Sequence, residues 1–354
     1  MLYRSTMVAG RGIPPAMAAI LHPRLLNGRT GDPGLWIEAL QQPEAILLDC
    51  GDLSSLAPRQ LLRVGLVAVS HAHMDHWAGF DRLLRLLIGR AARVQVVGPA
   101  GFAARLFHRL QAYTWNLVDR IPAELAFEVT EVAPGPAWAR TRLRLSAGFR
   151  AEPQAPQPAV ADGTVLQLGS LRLRAAVLDH GTPCLGFAVE TAARANVRPA
   201  GLAARGLPAG PWLAGLKAAV LAGAADAVPV LLPGGAAPLG TLRGLVEVTP
   251  GERLAYLTDL ADTPGNRAAA IALAQGADIL FIEAPFAAAD AAHARDRRHL
   301  TTQAAGEIAR AAGTRRIEPF HFSPRYPDAE ARLLAEVLAA AGRPIDSAAP
   351  GTAA

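Results

Sequence analysis

Short apolar runs recur along the chain at Ala45–Asp49, Val64–Ser70, Arg93–Val97, Leu171–Leu178, Arg253–Thr258, Asp278–Ile282 and Arg316–Phe320. Their length and their branched side chains predict buried strands. Between them, apolar residues return every three or four positions in Phe80–Gly89, Phe102–Leu117, Asn266–Gln275, Thr302–Ala312 and Asp328–Ala341. That spacing predicts helices. The last of these follows Pro327 and stops at Gly342, a start and a stop with a physical basis. Strands alternating with helices define a layered α/β domain.

Two stretches break the alternation. Residues 151–160, AEPQAPQPAV, read as a proline-rich loop. Residues 194–250 are rich in Gly, Pro and Ala and read as an insertion, which on composition alone is a flexible surface loop. Both ends, 1–18 and 343–354, are expected to be loosely ordered, leaving residues 19–342 as the folded unit.

Composition narrows the setting. The 354 residues are 51% apolar, enough for one large domain or two ordinary ones. No run approaches the roughly 18 uninterrupted apolar residues of a membrane helix. The first residues, MLYRSTMVAGRGIPP, make a poor secretory signal. Cys50 and Cys184 are the only cysteines, so a reducing, cytoplasmic setting without a disulfide framework is expected. The net charge is +5, carried almost wholly by arginine, since Lys217 is the only lysine. A modest basic excess is compatible with a nucleic-acid partner without requiring one.

The densest chemistry lies in SHAHMDHWAG, residues 70–79. A strand running into His71-Ala72-His73 sends both imidazoles to one side, because side chains alternate. Two imidazoles on one side can grip one cation. A turn after Met74 lets Asp75 and His76 address a neighbouring position. Imidazole and carboxylate suit zinc, with manganese or iron as further choices. Three more candidates stand at the ends of later strands: His180 in VLDHG, Asp259 in YLTDL and His321 in PFHFS. Strand ends on one side of a sheet are where α/β folds build their sites. A carboxylate such as Asp259 can bridge two cations about 3.5–4 Å apart.

These motifs resemble those of the ribonuclease Z family in the metallo-β-lactamase superfamily. His71-x-His73-x-Asp75-His76 is similar to the superfamily signature. LLDCGD at 47–52, DHGTPCLGFAVE at 179–190, LAYLTD at 254–259, ILFIEAPF at 279–286, HLTTQAA at 299–305 and HFSPRY at 321–326 resemble its other conserved segments, over about His22 to Ala341. The resemblance implies a four-layered αββα sandwich. It implies two Zn²⁺ per subunit, one held by His71, His73 and His180 and the other by Asp75, His76 and His321, with Asp259 shared. It implies hydrolysis of a phosphodiester, the 3′ trailer of precursor tRNA, with Asp75 orienting the water. His299, partnered by Glu283, would protonate the leaving oxygen. GLPAGPWLAGLK at 206–217 resembles the arm that grips tRNA, so Gly210, Pro211, Arg205 and Lys217 become substrate-binding candidates. A homodimer with no membrane association completes the expectation.

The match departs at the family's Pro-x-Lys-x-Arg-Asn loop, where HPRLLNG stands at 22–28. Ile282 and Pro285 replace the His and Thr of its His-Glu-Ala-Thr stretch. Three other readings stay open: a phosphodiesterase for small or cyclic nucleotides, an ester, thioester or lactone hydrolase, and a non-catalytic RNA-binding scaffold.

Overall fold

The computed structural model describes residues 20–40 and 42–343. The chain ends beyond these, for which loose order was expected, lie outside the described residues apart from Arg343.

The first half builds an eight-stranded sheet whose spatial order follows the sequence: β1 (Leu21–Leu25), β2 (Leu35–Ala39), β3 (Ala45–Leu48), β4 (Val64–Ala68), β5 (Ala92–Pro99), β6 (Leu125–Val132), β7 (Ala137–Arg144) and β8 (Ala151–Pro158). β3 to β6 run parallel, and the flanking strands are antiparallel. Helices α1 (Pro58–Leu61), α2 (Met74–Trp77), α3 (Phe80–Leu87) and α4 (Phe102–Gln111) are interspersed. The second sheet begins with the antiparallel β9 (Thr164–Leu168), β10 (Leu171–Asp179) and β11 (Pro183–Thr191).

The chain then leaves the sandwich. It forms β12 (Arg194–Val197), α5 (Pro199–Ala204), α6 (Trp212–Leu221), β13 (Pro229–Leu232), β14 (Gly235–Pro238), α7 (Leu239–Leu242) and β15 (Val246–Thr249). It returns through β16 (Arg253–Leu257), α8 (Pro264–Ala274), β17 (Ile279–Glu283), α9 (Ala291–Arg297), α10 (Thr302–Ala311), β18 (Arg316–Phe320) and α11 (Glu330–Ala340). The second sheet has the order β18-β17-β16-β11-β10-β9.

Side-chain alternation explains the layers. Leu47, Val67, Val69, Val94 and Val96 face Phe80, Leu83, Leu84, Phe102 and Leu106 on the outer helices. Their neighbours Ile46, Leu48, Leu66 and Ala68 face Leu173, Leu185, Phe187 and Tyr256 of the second sheet. The far side of that sheet packs Leu257, Leu280 and Ile282 against Leu273, Ile308, Leu333 and Val337 of α8, α10 and α11. Strands with two buried faces read as continuous apolar runs, which is why β4 was visible in the sequence. The result is a four-layered αββα sandwich.

Three local expectations are corrected. Residues 151–158 form strand β8, not a loop. β8 lies at the edge of its sheet, where missing N–H donors cost no ladder bond, and the β7 register slips between Trp138 and Arg140 opposite its prolines. The helix begun at Phe102 stops at Gln111, well short of Leu117. Trp115 Nε1 donates to the carbonyl of Leu110 at 2.9 Å, satisfying one of the acceptors left bare at the helix end. Residues 194–249 are folded, with a small core of Leu202, Leu216, Val230, Leu239, Leu242 and Leu245.

Candidate metal centre

Every candidate of the histidine-rich motif sits where β4 ends. Val64–Ala68 is wholly buried, Val69 and Ser70 continue it, and His71 and His73 follow on one side. His73 then caps α2, a single turn that brings Asp75 and His76 round to the same centre. The turn after β3 is pressed against this motif: Cys50 N donates to the carbonyl of His76 at 2.7 Å, and Gly79 N to that of Cys50 at 2.9 Å. A Cβ on Gly51 would lie 2.0 Å from the carbonyl oxygen of Asp75, so only glycine permits the approach.

The remaining candidates arrive from the second sheet. His180 follows β10, Asp259 lies two residues beyond β16, Glu283 ends β17 and His321 follows β18. Leu185 N donates to the carbonyl of Ser70 at 2.9 Å, joining the sheets beside the cluster. Asp259 and His321 both adopt positive φ, 33° and 59°. That backbone is disfavoured for side-chain-bearing residues and turns these two inward at the strand ends.

The structure gathers His71, His73, His180 and Asp259 into one group, and Asp75, His76 and His321 into a second. Asp259 joins them. Its Oδ2 lies 3.7 Å from His71 Nε2, 3.4 Å from His76 Nε2 and 3.5 Å from His180 Nε2, and its Oδ1 lies 2.8 Å from His321 Nδ1. Asp75 Oδ2 is 3.4 Å from His76 Nε2 and 3.5 Å from His321 Nε2. Two donors each about 2.1 Å from one tetrahedral cation lie about 3.4 Å apart, so most of these gaps fit a cation better than a direct hydrogen bond.

The partners behind the cluster decide the tautomers. His180 Nδ1 lies 2.8 Å from the carbonyl of Arg298, which can only accept, so Nδ1 carries the proton and Nε2 presents a lone pair. His76 Nδ1 lies 2.9 Å from Asp49 Oδ2. Ser70 Oγ donates to that same oxygen and lies 3.1 Å from His71 Nδ1, from which it can accept. Both rings therefore also turn bare Nε2 atoms inward. His71 Nε2 and His76 Nε2 are buried and have no hydrogen-bond partner among the described residues. Buried polar atoms without partners are rare and call for an explanation such as an ion. The donor set fits a metal pair.

From the protein's own groups the imidazoles divide: burial disfavours charge on His76 and His321, but the neighbouring carboxylates, Asp259 foremost, outweigh it and raise both above the ordinary imidazole value, whereas His71 moves the other way. Burial, reinforced by the neighbouring imidazole of His76, pushes the His71 pKa down to about 3, so that ring is neutral, as a metal ligand must be. Burial alone would raise Asp75, but hydrogen bonding to His321 and His76 outweighs it and holds the carboxyl below its usual range.

His299 stands next to the cage, its ring 4.7 Å from that of His180. Its Nδ1 lies 2.7 Å from Glu283 Oε2. Glu283 is fully buried and also accepts from Leu260 N and Leu300 N, both at 3.0 Å. Burial opposes charge on both groups. Their mutual attraction outweighs it, holding Glu283 at about 2 and raising His299 above its usual value. The loop is braced by Thr301, whose hydroxyl accepts from Ala304 N at the start of α10.

Asp49, Ser70 and Tyr256 were not among the sequence candidates. Tyr256 OH donates to Asp49 Oδ2 at 3.0 Å, and Ser70 N to Oδ1 at 2.7 Å, completing the support behind His76. The available signal was the LLDCGD segment itself. The arm candidates lie elsewhere: Gly210 and Pro211 open α6, Lys217 lies within it, and Arg205 ends α5 and donates to the carbonyl of Thr241. None of the four has a recorded bond to the cluster among the described residues. His22 is exposed, while His108 and His293 pack beside Phe107 and Phe286.

Comparison with known proteins identifies the class and then the family. The metallo-β-lactamase fold protein YhfI from Bacillus subtilis superposes with a TM-score of 0.51 at 14% identity, covering 89% of this chain and 91% of that one. Human tRNase Z, short form, gives 0.50 at 15% identity, covering 86% and 91%. The fold is the metallo-β-lactamase fold. No protein-family profile matches the chain. Curated relatives do: ribonuclease Z of Deinococcus radiodurans is 35% identical over 91% of this chain and 95% of its own length. Ribonuclease Z of a Bradyrhizobium species is 32% identical over 86% and 87%, and ribonuclease BN of Cronobacter sakazakii 29% over 89% and 88%. The chain belongs to the ribonuclease Z family of metal-dependent hydrolases.

Proposed function

We propose that this protein is an endoribonuclease that removes the 3′ trailer of precursor tRNA. The observation that carries the reading is the pairing of a seven-residue donor cage with an adjacent imidazole, His299, anchored on a buried carboxylate. Family membership supports the substrate class.

His71, His73 and His180 would hold one cation, and Asp75, His76 and His321 the other, with Asp259 between them. Zinc suits these nitrogen and oxygen donors; manganese or iron are the alternatives. Held there, a cation pair would supply an activated water and polarise the phosphoryl oxygen. Asp75, half exposed at the mouth, would orient such a water and accept its proton. Glu283 fixes the His299 ring through Nδ1, which leaves Nε2 to donate to the departing oxygen. Buried Asp49 keeps the His76 proton on Nδ1, away from the metal side.

Residues 194–250 serve as the arm, with Gly210, Pro211, Arg205 and Lys217 addressing tRNA away from the cut. The protein acts as a cytoplasmic homodimer. No helix among the described residues is long and apolar enough to cross a membrane. One observation favours a second reading, a phosphodiesterase for small or cyclic nucleotides: arm cations are engaged within the arm, Arg243 with Asp226 and Arg205 with the carbonyl of Thr241.

Metal-loaded protein incubated with a precursor tRNA and with bis-p-nitrophenyl phosphate separates these. Cleavage of the RNA at the trailer junction, with product ends mapped, supports the first reading. Hydrolysis of the small ester alone replaces it with the second, and inertness towards both overturns the two together.

A further inference from the structure

We propose that Arg298 is a phosphate-binding residue that holds the RNA chain beside the phosphate being cut. The proposal rests on the ribonuclease reading above and extends it to a residue with no place in the metal cage.

Arg298 is fixed by its main chain. Its carbonyl accepts from His180 Nδ1 at 2.8 Å, and its own N–H donates to the carbonyl of Arg295 at 3.1 Å. It sits at φ 59°, a conformation that favours glycine. The turn alone would therefore be better served by glycine, yet a long cationic side chain occupies it. That side chain lies across the turn that carries His180: a Cβ on Gly181 would come within 2.7 Å of Arg298 Cδ and 2.9 Å of Nε. The guanidinium is thus placed on the rim of the site, next to one candidate ligand and one residue from His299.

Its donors are weakly engaged: among the described residues its one ionic partner is Asp179 Oδ2, 3.8 Å away, with both side chains more than half exposed. Asp179 Oδ1 is already engaged by Gly181 N at 2.7 Å. An exposed ion pair at that distance contributes little and yields readily to a better anion. A phosphate is such an anion, because the planar guanidinium matches two of its oxygens at once. Two arm arginines are held more firmly: Arg205 is bound to the carbonyl of Thr241, and Arg243 to Asp226 and the carbonyl of Ala224. Weakly engaged cationic donors therefore stand at the rim, where a contact to a flanking phosphate positions the chain without reading its sequence.

The test compares Arg298→Gly, which suits the backbone, with Arg298→Lys, which keeps charge without the planar fork. Arg93→Ala, at the opposite end of the parallel strands and 68% exposed, controls for net charge. Metal content and steady-state cleavage of a precursor tRNA are measured across a salt series. The expected result for Arg298→Gly is a KM raised about tenfold with kcat within about twofold and two metal equivalents retained. Its log(kcat/KM) against log[salt] slope should be shallower by about 0.7–0.9, one phosphate contact. Arg298→Lys should recover the slope and only part of KM, and Arg93→Ala should match the wild type. If Arg298→Gly keeps the wild-type KM and slope, or loses kcat and metal together, Arg298 is structural and the proposal falls while the ribonuclease reading stands. If the wild type itself leaves the RNA intact, both fall.

Discussion

Asp49→Asn is the substitution from which the geometry yields the sharpest outcome. Asp49 is fully buried. Its Oδ1 accepts only from Ser70 N, at 2.7 Å, while Oδ2 receives Ser70 Oγ at 2.8 Å and Tyr256 OH at 3.0 Å and lies 2.9 Å from His76 Nδ1. A backbone N–H can only donate, so in the variant the amide oxygen stays opposite Ser70 N. The new NH₂ then takes the place of Oδ2. Its two hydrogens can be taken by two of the three neighbours of Oδ2, the Ser70 and Tyr256 hydroxyls and His76 Nδ1, so folding is largely spared. His76 Nδ1 then faces a donor at 2.9 Å where it had an acceptor and keeps only the more distant Ser70 Oγ, at 3.2 Å, so the balance shifts the ring proton towards Nε2, the atom aimed at the second cation position. Losing an outer partner of a ligating histidine typically costs 10–100-fold in metal affinity, about 1.4–2.7 kcal/mol. Asp49→Ala is the contrasting case. It leaves Ser70 N and Tyr256 OH buried without an acceptor, at about 1–3 kcal/mol each, so it should destabilise the fold as well. The assay is titration of metal-free protein with zinc against a chelating dye, alongside thermal melting. Asn should weaken the second equivalent while the metal-free protein melts within a few degrees of wild type, whereas Ala should lower both. Two equivalents bound by Asp49→Asn with wild-type affinity would refute the tautomer argument.

Three further outcomes follow from the same geometry. His299→Asn should lower kcat on precursor tRNA by about 10²–10⁴ with metal content intact; unchanged turnover would remove His299 from the reaction. Dialysis against a chelator should abolish hydrolysis and lower the melting temperature, since the inward Nε2 atoms of His71 and His76 lose their partner, and zinc should restore both; hydrolysis persisting in protein shown to be metal-free would exclude the two-cation reading. Excising residues 198–245 and closing β12 to β15, which pair from Arg194↔Thr249 to Val197↔Val246, should raise KM for precursor tRNA at least about tenfold; an unaltered KM would deny the arm a role in binding.

Legibility in the sequence followed how much of each feature is local. Val64–His76 could be read directly because a buried strand, side-chain alternation and four donor groups fall in one continuous segment. His180, Asp259 and His321 are single residues at separate strand ends. Their place at strand ends alone marked them as candidates, and their division between two cations became an expectation through resemblance. Asp49 was missed because an aspartate before Cys-Gly reads as an ordinary turn residue until Ser70, His76 and Tyr256 are brought around it from the end of β4, from α2 and from β16. Strand β8 was missed because proline is informative only once edge and centre are known. The fold of residues 194–249 was hidden by alanine and glycine, although Leu202, Leu216, Leu239, Leu242 and Leu245 supply its core.

Backbone strain separates scaffold from site in the same way. Six non-glycine residues among those described have positive φ, and four of them, Asp49, Asp259, Arg298 and His321, belong to the cage or its immediate supports. Each such conformation costs of order 1–3 kcal/mol and persists only where surrounding contacts outweigh it. Here those contacts are specific. Asp49 is fixed by the Ser70 amide, the Ser70 hydroxyl and Tyr256, and Arg298 by its carbonyl bond to His180. The next residue after His321, Phe322, donates its N–H to the carbonyl of Arg29 at 2.8 Å. The two sheets thus hold their strand ends in conformations that no isolated segment would adopt, and those conformations point the donors at common centres. A cation entering such a cage has little left to organise, which is the condition under which a metal pair binds tightly and leaves its reactive side open to substrate.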